Sequence, residues 1–241
     1  MRLTRLFLIS LLLFVTLLFG KTITVGTSAD FPPFEYIENG QFVGFDMDLM
    51  REVAKLAGFE LKFVDMSFDS LIPALRAGQV DVVAAAMTIT DERKQVVDFS
   101  TPYWTADQSI IVKADSDLTI TVLYQKGRIG VQTGTTGDLW CTDNLVGKGL
   151  LPEKNLKRYD TFVLALSDLL NGNIDAIVLD SPVANRFAAI KPVKVVGVIV
   201  TGEQYGIAVK KGNKELLDKI NSAIKVLNET GKMAELIDKY F

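Results

Sequence analysis

Histidine is absent from this 241-residue chain, and Cys141 is its only cysteine. Without histidine there is no Ser-His-Asp triad, no imidazole general base and no histidine-bearing zinc site. One cysteine cannot close an intramolecular disulfide, and none stands near the amino terminus to carry a lipid. Low-complexity tracts and Pro- or Ser-rich linkers are missing too. Later apolar runs such as 82–87 fall well short of the ~20 residues that a membrane span needs. Neither charge sign dominates: 26 basic and 29 acidic residues leave a formal net charge of −3. That balance suits neither nucleic acid nor anionic lipid, both of which reward basic patches. These absences remove many enzymes and most nucleic-acid binders, and they imply neither a metal nor a cofactor.

Hydrophobic residues make up 49% of the chain, ample for a packed core in one large domain or two modest ones. The first residues read differently from the rest. Arg2 and Arg5 precede an apolar run from Leu6 to Phe19, interrupted only by Ser10 and Thr16. Coiled as a helix, that run would reach ~21 Å, short of a ~30 Å hydrocarbon core. This is the pattern of a secretion signal, with Gly20 as the small residue at the cleavage point. Residues 1–20 are therefore expected to be removed on export. Losing Arg2 and Arg5 takes the net charge from −3 to −5.

Beyond residue 20, short apolar strands alternate with amphipathic helices, the mark of layered α/β structure. Strands are expected at 23–26, 61–64, 80–86, 128–132, 174–179, 195–200 and 205–209. Asp46 is placed to cap a helix whose stripe of Leu49, Val53, Leu56 and Ala57 ends at Gly58. Asp69 would cap a second, with Leu71, Ile72 and Leu75 inward, Pro73 near its first turn and Gly78 closing it. Further helices are expected from Thr135 or Thr136, over 161–170 up to Asn171-Gly172, and from Ser181-Pro182 to Ile190. Two more, separated by Gly231, finish the chain. The units fall into two sets, the second starting near Lys126. Extended stretches near 110–114 and 200–205 would cross between them, giving one lobe of 21–112 with 205–241 and another of 113–204. Two lobes on a hinge leave a cleft.

Five stretches carry the chemistry: Gly26-Thr-Ser-Ala-Asp-Phe-Pro-Pro-Phe34, Gly44-Phe-Asp-Met-Asp-Leu49, Ala86-Met-Thr-Ile-Thr-Asp-Glu-Arg93, Val131-Gln-Thr-Gly-Thr-Thr136 and Asp175-Ala-Ile-Val-Leu-Asp180. Phe99-Ser-Thr-Pro-Tyr103 follows the third. In this order, over essentially the whole chain beyond the signal, they resemble the polar-amino-acid-binding proteins of bacterial ABC importers, the family 3 solute-binding proteins. The run from Ser28 to Phe34 is most similar to arginine-binding relatives. The resemblance implies a two-lobed periplasmic-binding-protein fold, each lobe a mainly parallel sheet flanked by helices, joined by two hinge strands. It further implies hinge closure on a free amino acid, delivery to an ABC permease in the membrane, a place in the periplasm or cell envelope, and no catalysis.

By itself, Arg93 is an ordinary charge in the turn Asp91-Glu-Arg-Lys94. The resemblance instead makes its guanidinium the two-pronged grip on the ligand's α-carboxylate. Thr88 lies where a buried strand ends, the customary binding edge of an open α/β sheet, although it also suits a helix start. In the family this position offers a hydroxyl and a backbone N–H. Ala85 and Ala86 stand where several relatives carry small hydroxyl residues, so only their carbonyls remain to meet an ammonium. Asp180 reads plainly as a helix-start residue, and by resemblance as the partner of the α-ammonium. Gln132, Thr135 and Thr136 belong to the second lobe's helix start, where free N–H groups favour anions. No Gly-Lys-Ser/Thr follows Gly134, so a phosphate loop is not indicated. Phe31 and Phe68 are core material by default, but the resemblance has them sandwich the ligand's side chain. Ser28, Asp30 and Gln204 fall near that end. Basic-amino-acid binders often carry aspartate at the position of Ser28, which keeps glutamine beside arginine and lysine as a ligand.

Two other classes stay open at this point. One is an exported cyclohexadienyl dehydratase-like enzyme on the same fold, with Asp30, Glu35 or Asp69 as its acid. The other is a ligand sensor, which would need a separate signalling partner because no further domain follows Phe241.

Overall fold

The computed structural model describes residues 21–124 and 127–241. The expected signal lies outside these residues. Among those described, no helix is long and apolar enough to cross a membrane.

Two five-stranded sheets form two lobes. The first runs in the order Glu60–Asp65, Thr22–Thr27, Val82–Val83, Ala208–Lys210, Val97–Phe99, and the second in the order Leu156–Tyr159, Ile129–Gln132, Ala176–Asp180, Trp104–Lys113, Val193–Tyr205. Each sheet is parallel on one side: Thr22–Thr27 pairs this way with both its neighbours, and Ile129–Gln132 does likewise. The pairs that complete each sheet are antiparallel. A small three-stranded sheet, Asp30–Phe31, Glu35–Glu38 and Gln41–Val43, sits beside the first lobe's entry.

Both faces of each sheet are covered. In the first lobe Leu49, Met50 and Val53 of helix Phe45–Ala57 pack on one side, and Leu71 and Leu75 of helix Phe68–Ala77 on the other. In the second, Phe162, Leu166 and Leu169 of helix Phe162–Leu170 cover one face, while Cys141 and Leu145 join the opposite core. At ~25 cal/mol per Å² of apolar area, burial of each such Leu contributes on the order of 2 kcal/mol. This double cover is why unbroken apolar runs rather than alternating ones mark the central strands.

Several local expectations are corrected. Asp46 does not cap its helix. Gly44 does, at φ 122° and with a Cβ position only 2.2 Å from the Phe34 carbonyl, so only glycine fits. Asp46 instead lies fully buried, accepting the Ala86 N–H at 2.8 Å and the Tyr103 hydroxyl at 2.7 Å. Asp69 is inside helix Phe68–Ala77, with Ser67 at the cap position, and Pro73 falls mid-helix. Leu56 points to solvent. Only Val82–Val83 of the 80–86 run pairs as strand, because the residues beyond it turn into the cleft. The stretches at 195–200 and 205–209 resolve into one strand, Val193–Tyr205, and a separate one, Ala208–Lys210. Asp180 rather than Ser181 occupies the cap position of helix Ser181–Ile190, and its side chain makes no capping bond.

The first crossing also comes earlier than residue 112. Gln108 to Ile111 already pair with Ile177 to Asp180 in the second sheet. The two crossing strands run together, Trp104 opposite Tyr205 and Ile111 opposite Val195, with register shifts between 195 and 197 and between 199 and 203.

Candidate functional site

The parallel strands of both lobes aim their carboxyl ends at each other. Ser28 follows strand Thr22–Thr27 of the first lobe, Ala85 and Ala86 follow Val82–Val83, and Gln132 and Asp180 end two strands of the second lobe. Between these ends lies a narrow cavity lined by Ser28, Phe31, Glu35, Phe68, Ala85, Ala86, Thr88, Gln132, Thr135, Thr136 and Asp180. This is the crevice that α/β sheets reserve for ligands.

Asp30 and Arg93 stand behind the wall rather than in it. The Asp30 carboxylate accepts the Phe162 N–H at 2.5 Å and the Ser28 hydroxyl at 3.2 Å, and so ties the lobes together. Burial lifts its pKa to about 6 against those bonds. Arg93 is buried, and two of its N–H groups go to the carbonyls of Thr88, at 2.8 Å, and Gly134, at 3.0 Å. Its guanidinium lies 5.3 Å from the centre of the Phe68 ring, so Phe68 stacks on Arg93. Phe31 stacks on Phe162 at 5.4 Å across the lobes. Gln204 is exposed, holding the Ile89 N–H only through its backbone carbonyl, and takes no part.

The two buried acids of the cavity wall differ. Asp180 is held by two donors: Gln108 Nε2 donates to its Oδ1 at 2.8 Å, and the Tyr205 hydroxyl donates to its Oδ2. Burial pushes this carboxyl up to about 7, Glu203 pushes the same way, and the two donors and Arg93 oppose. Arg93 itself is drawn down to about 10 by burial, with Glu203 and Asp180 supporting its charge. The Thr135 hydroxyl is spent within its own turn, on the carbonyl of Gln132 and the N–H of Asp138. Gly134, at φ 76°, lets that turn come against Asp69 of the first lobe, where a Cβ would stand 3.2 Å from the Asp69 Cβ. Ala86 is also left-handed, at φ 43°, held there by Asp46.

The other buried acid is Glu35, 1% exposed, whose Oε2 has no hydrogen-bond partner among the described residues. Burial first, then Asp46, Asp30 and Asp180, hold its carboxyl well above the usual range. Among the described residues no basic one lines the cavity. Without a partner such a carboxyl is kept protonated, and a cation beside it favours the ionised form. In the sequence Glu35 stands out only as an enzyme's acid, and Gln108, Glu203 and Tyr205 do not stand out as site residues. One signal for Glu203 was there, since a period of two places it on the same strand face as the buried Tyr205.

Among the described residues no cluster of His, Cys, Asp and Glu has the makings of a metal site. Cys141 is buried and its thiol is pushed up to about 12, away from thiolate chemistry.

A family model for bacterial extracellular solute-binding proteins, family 3, matches residues 23–241. The ABC transporter arginine-binding protein 1 of Escherichia coli (strain K12) is 37% identical over 229 residues, 92% of this chain and 91% of that protein. An ancestral arginine-binding protein solved with arginine bound is similar at a TM-score of 0.85 and 42% identity, over 92% of this chain and 99% of that one. Another, solved with glutamine bound, gives 0.84 and 43%, over 91% and 97%.

Proposed function

The chain belongs to the bacterial extracellular solute-binding proteins of family 3, and from that premise we propose that it captures a free basic amino acid, arginine first, and delivers it to an ABC permease. The observation that carries this reading is Glu35. Its buried Oε2 lacks a partner in the cavity wall, and a guanidinium or ammonium on the ligand's side chain supplies one. Glutamine, bound in one similar structure, offers an amide donor but no charge, and ranks second.

The rest of the wall reads what every amino acid shares. The Thr88 N–H and the backbone N–H groups at the second lobe's helix start, Thr135 and Thr136, take the α-carboxylate, and Arg93, behind them on the carbonyls of Thr88 and Gly134, supplies the positive charge that favours it. Asp180 and the carbonyls of Ala85 and Ala86 take the α-ammonium. The lobes we assign are 21–103 with 206–241, and 104–205. They close by population shift, because the ligand touches both only when they meet. Export through residues 1–20 to the periplasm or cell envelope completes the reading.

Thermal-shift screening of the twenty amino acids on refolded protein tests it, since a ligand bound only by the native state raises the melting temperature. Arginine should give the largest rise and lysine the next. If no amino acid shifts the melt while prephenate or arogenate is consumed, the dehydratase reading takes its place.

A further inference from the structure

The crossing strand carries a carboxylate that joins both lobes. Glu203 Oε2 accepts the hydroxyl of Thr88, from the first lobe, at 2.8 Å and that of Thr136, from the second, at 2.6 Å. Its Oε1 accepts Gln108 Nε2 at 3.1 Å, and the same nitrogen serves Asp180. The two hydroxyl oxygens stand 3.4 Å apart. A hydroxyl has one proton and two lone pairs, whereas a carboxylate only accepts. Both threonine protons are therefore committed to Glu203, and both oxygens act as acceptors, that of Thr136 already at 3.4 Å from Gln108 Nε2. Two carboxylates, Glu203 and Asp180, flank one amide nitrogen, and among the described residues neither forms an ion pair with a basic side chain within 4 Å.

We propose that Glu203 is a positioning residue. By fixing the proton direction of Thr88 and Thr136, it turns two hydroxyls into acceptors for the ligand's α-ammonium, and by holding one from each lobe it makes that recognition depend on closure. This rests on the amino-acid reading above. It differs from a simpler possibility, that Glu203 occupies the place of the ligand's α-carboxylate and competes with it. Glutamine at 203 would keep the shape but bring its own N–H donors, so the hydroxyl protons would no longer be held in one direction.

The test is calorimetric titration of wild type, Glu203→Gln and Glu203→Asp with two probes, arginine and 5-guanidinopentanoic acid, which is arginine without its α-ammonium. Glu203→Gln should weaken arginine about 10- to 100-fold, as loss of a charged hydrogen-bond set does. The des-amino probe, weaker from the start, should change by less than about 3-fold, and Glu203→Asp should recover part of the arginine loss. Equal losses for both probes would reduce Glu203 to a structural role, and tighter arginine binding by Glu203→Gln would make it a competitor. Either result overturns the proposal while leaving the basic-amino-acid reading intact. Failure of wild type to bind arginine at all removes both. Should Glu203→Gln not fold, the same two-probe ratio read on Glu203→Asp decides.

Discussion

The two buried acids of the cavity wall have opposite surroundings. Around Asp180 most hydrogen bonds are already made: Gln108 Nε2, Tyr205, Thr88, Thr136 and Glu203 are linked to one another, and of this group Gln108 Oε1 is left without a partner among the described residues. Around Glu35 the pattern is incomplete, with a buried oxygen and, among the described residues, no donor. Preorganised surroundings suit a constant group, because binding then spends little on ordering side chains. Surroundings with a missing partner suit the variable group, because a wrong ligand leaves the carboxylate unpaired. The comparison predicts that the preorganised group around Asp180 sets whether binding occurs and Glu35 sets what is bound.

The largest effects should come from breaking the preorganised group. Arg93→Ala and Asp180→Ala should each weaken arginine by about 2–5 kcal/mol, the range for truncating one partner of a buried charge pair, with little change in fold by circular dichroism. Wild-type affinity in both would take them out of the site. The same group should impose a pH dependence. Asp180 must be ionised to meet an ammonium, and its carboxyl without ligand titrates at about 7. Affinity should therefore be full near pH 8 and fall as pH drops through 7, because protons compete with the ligand. Asp180→Asn should bind weakly and without that step.

Glu35 should show a smaller effect, and in stability as well as affinity. Glu35 has a raised pKa, so the folded state holds a proton that the unfolded chain gives up as pH rises above the ordinary carboxylate value. The resulting penalty is absent in acid and grows toward neutral and alkaline pH. Glu35→Gln removes it. The unliganded variant should melt a few degrees above wild type at pH 8, with the gap closing by pH 4. A gap that widens in acid would contradict the assignment of Glu35 as an unpaired buried acid.

Much of this architecture was legible in the sequence. Strand and helix runs follow from apolar patterning, and the glycines after residues 57 and 77 end their helices as expected. The cavity also brings together Ser28, Phe31, Phe68, Thr88, Gln132 and Asp180, drawn from five separate segments. What escaped has a common physical cause. Asp46 has the spacing of a cap, but its carboxylate turns inward to a backbone 40 residues away. Glu203 meets partners 67, 95 and 115 residues distant, and no periodicity encodes such a meeting. Glu35 sits in an aromatic run, where only the fold reveals that, among the described residues, nothing meets its Oε2. Asp30 has the right neighbourhood but spends its carboxylate on the opposite lobe's backbone.

The most direct test of the central claim, that Glu35 reads a positive charge, is calorimetric titration of the refolded wild type with arginine and with citrulline, its neutral near-isostere, at pH 8. The account predicts that arginine binds about 100-fold or more tightly, the difference of a charged pair against a neutral hydrogen bond. Equal affinity for the two would contradict it.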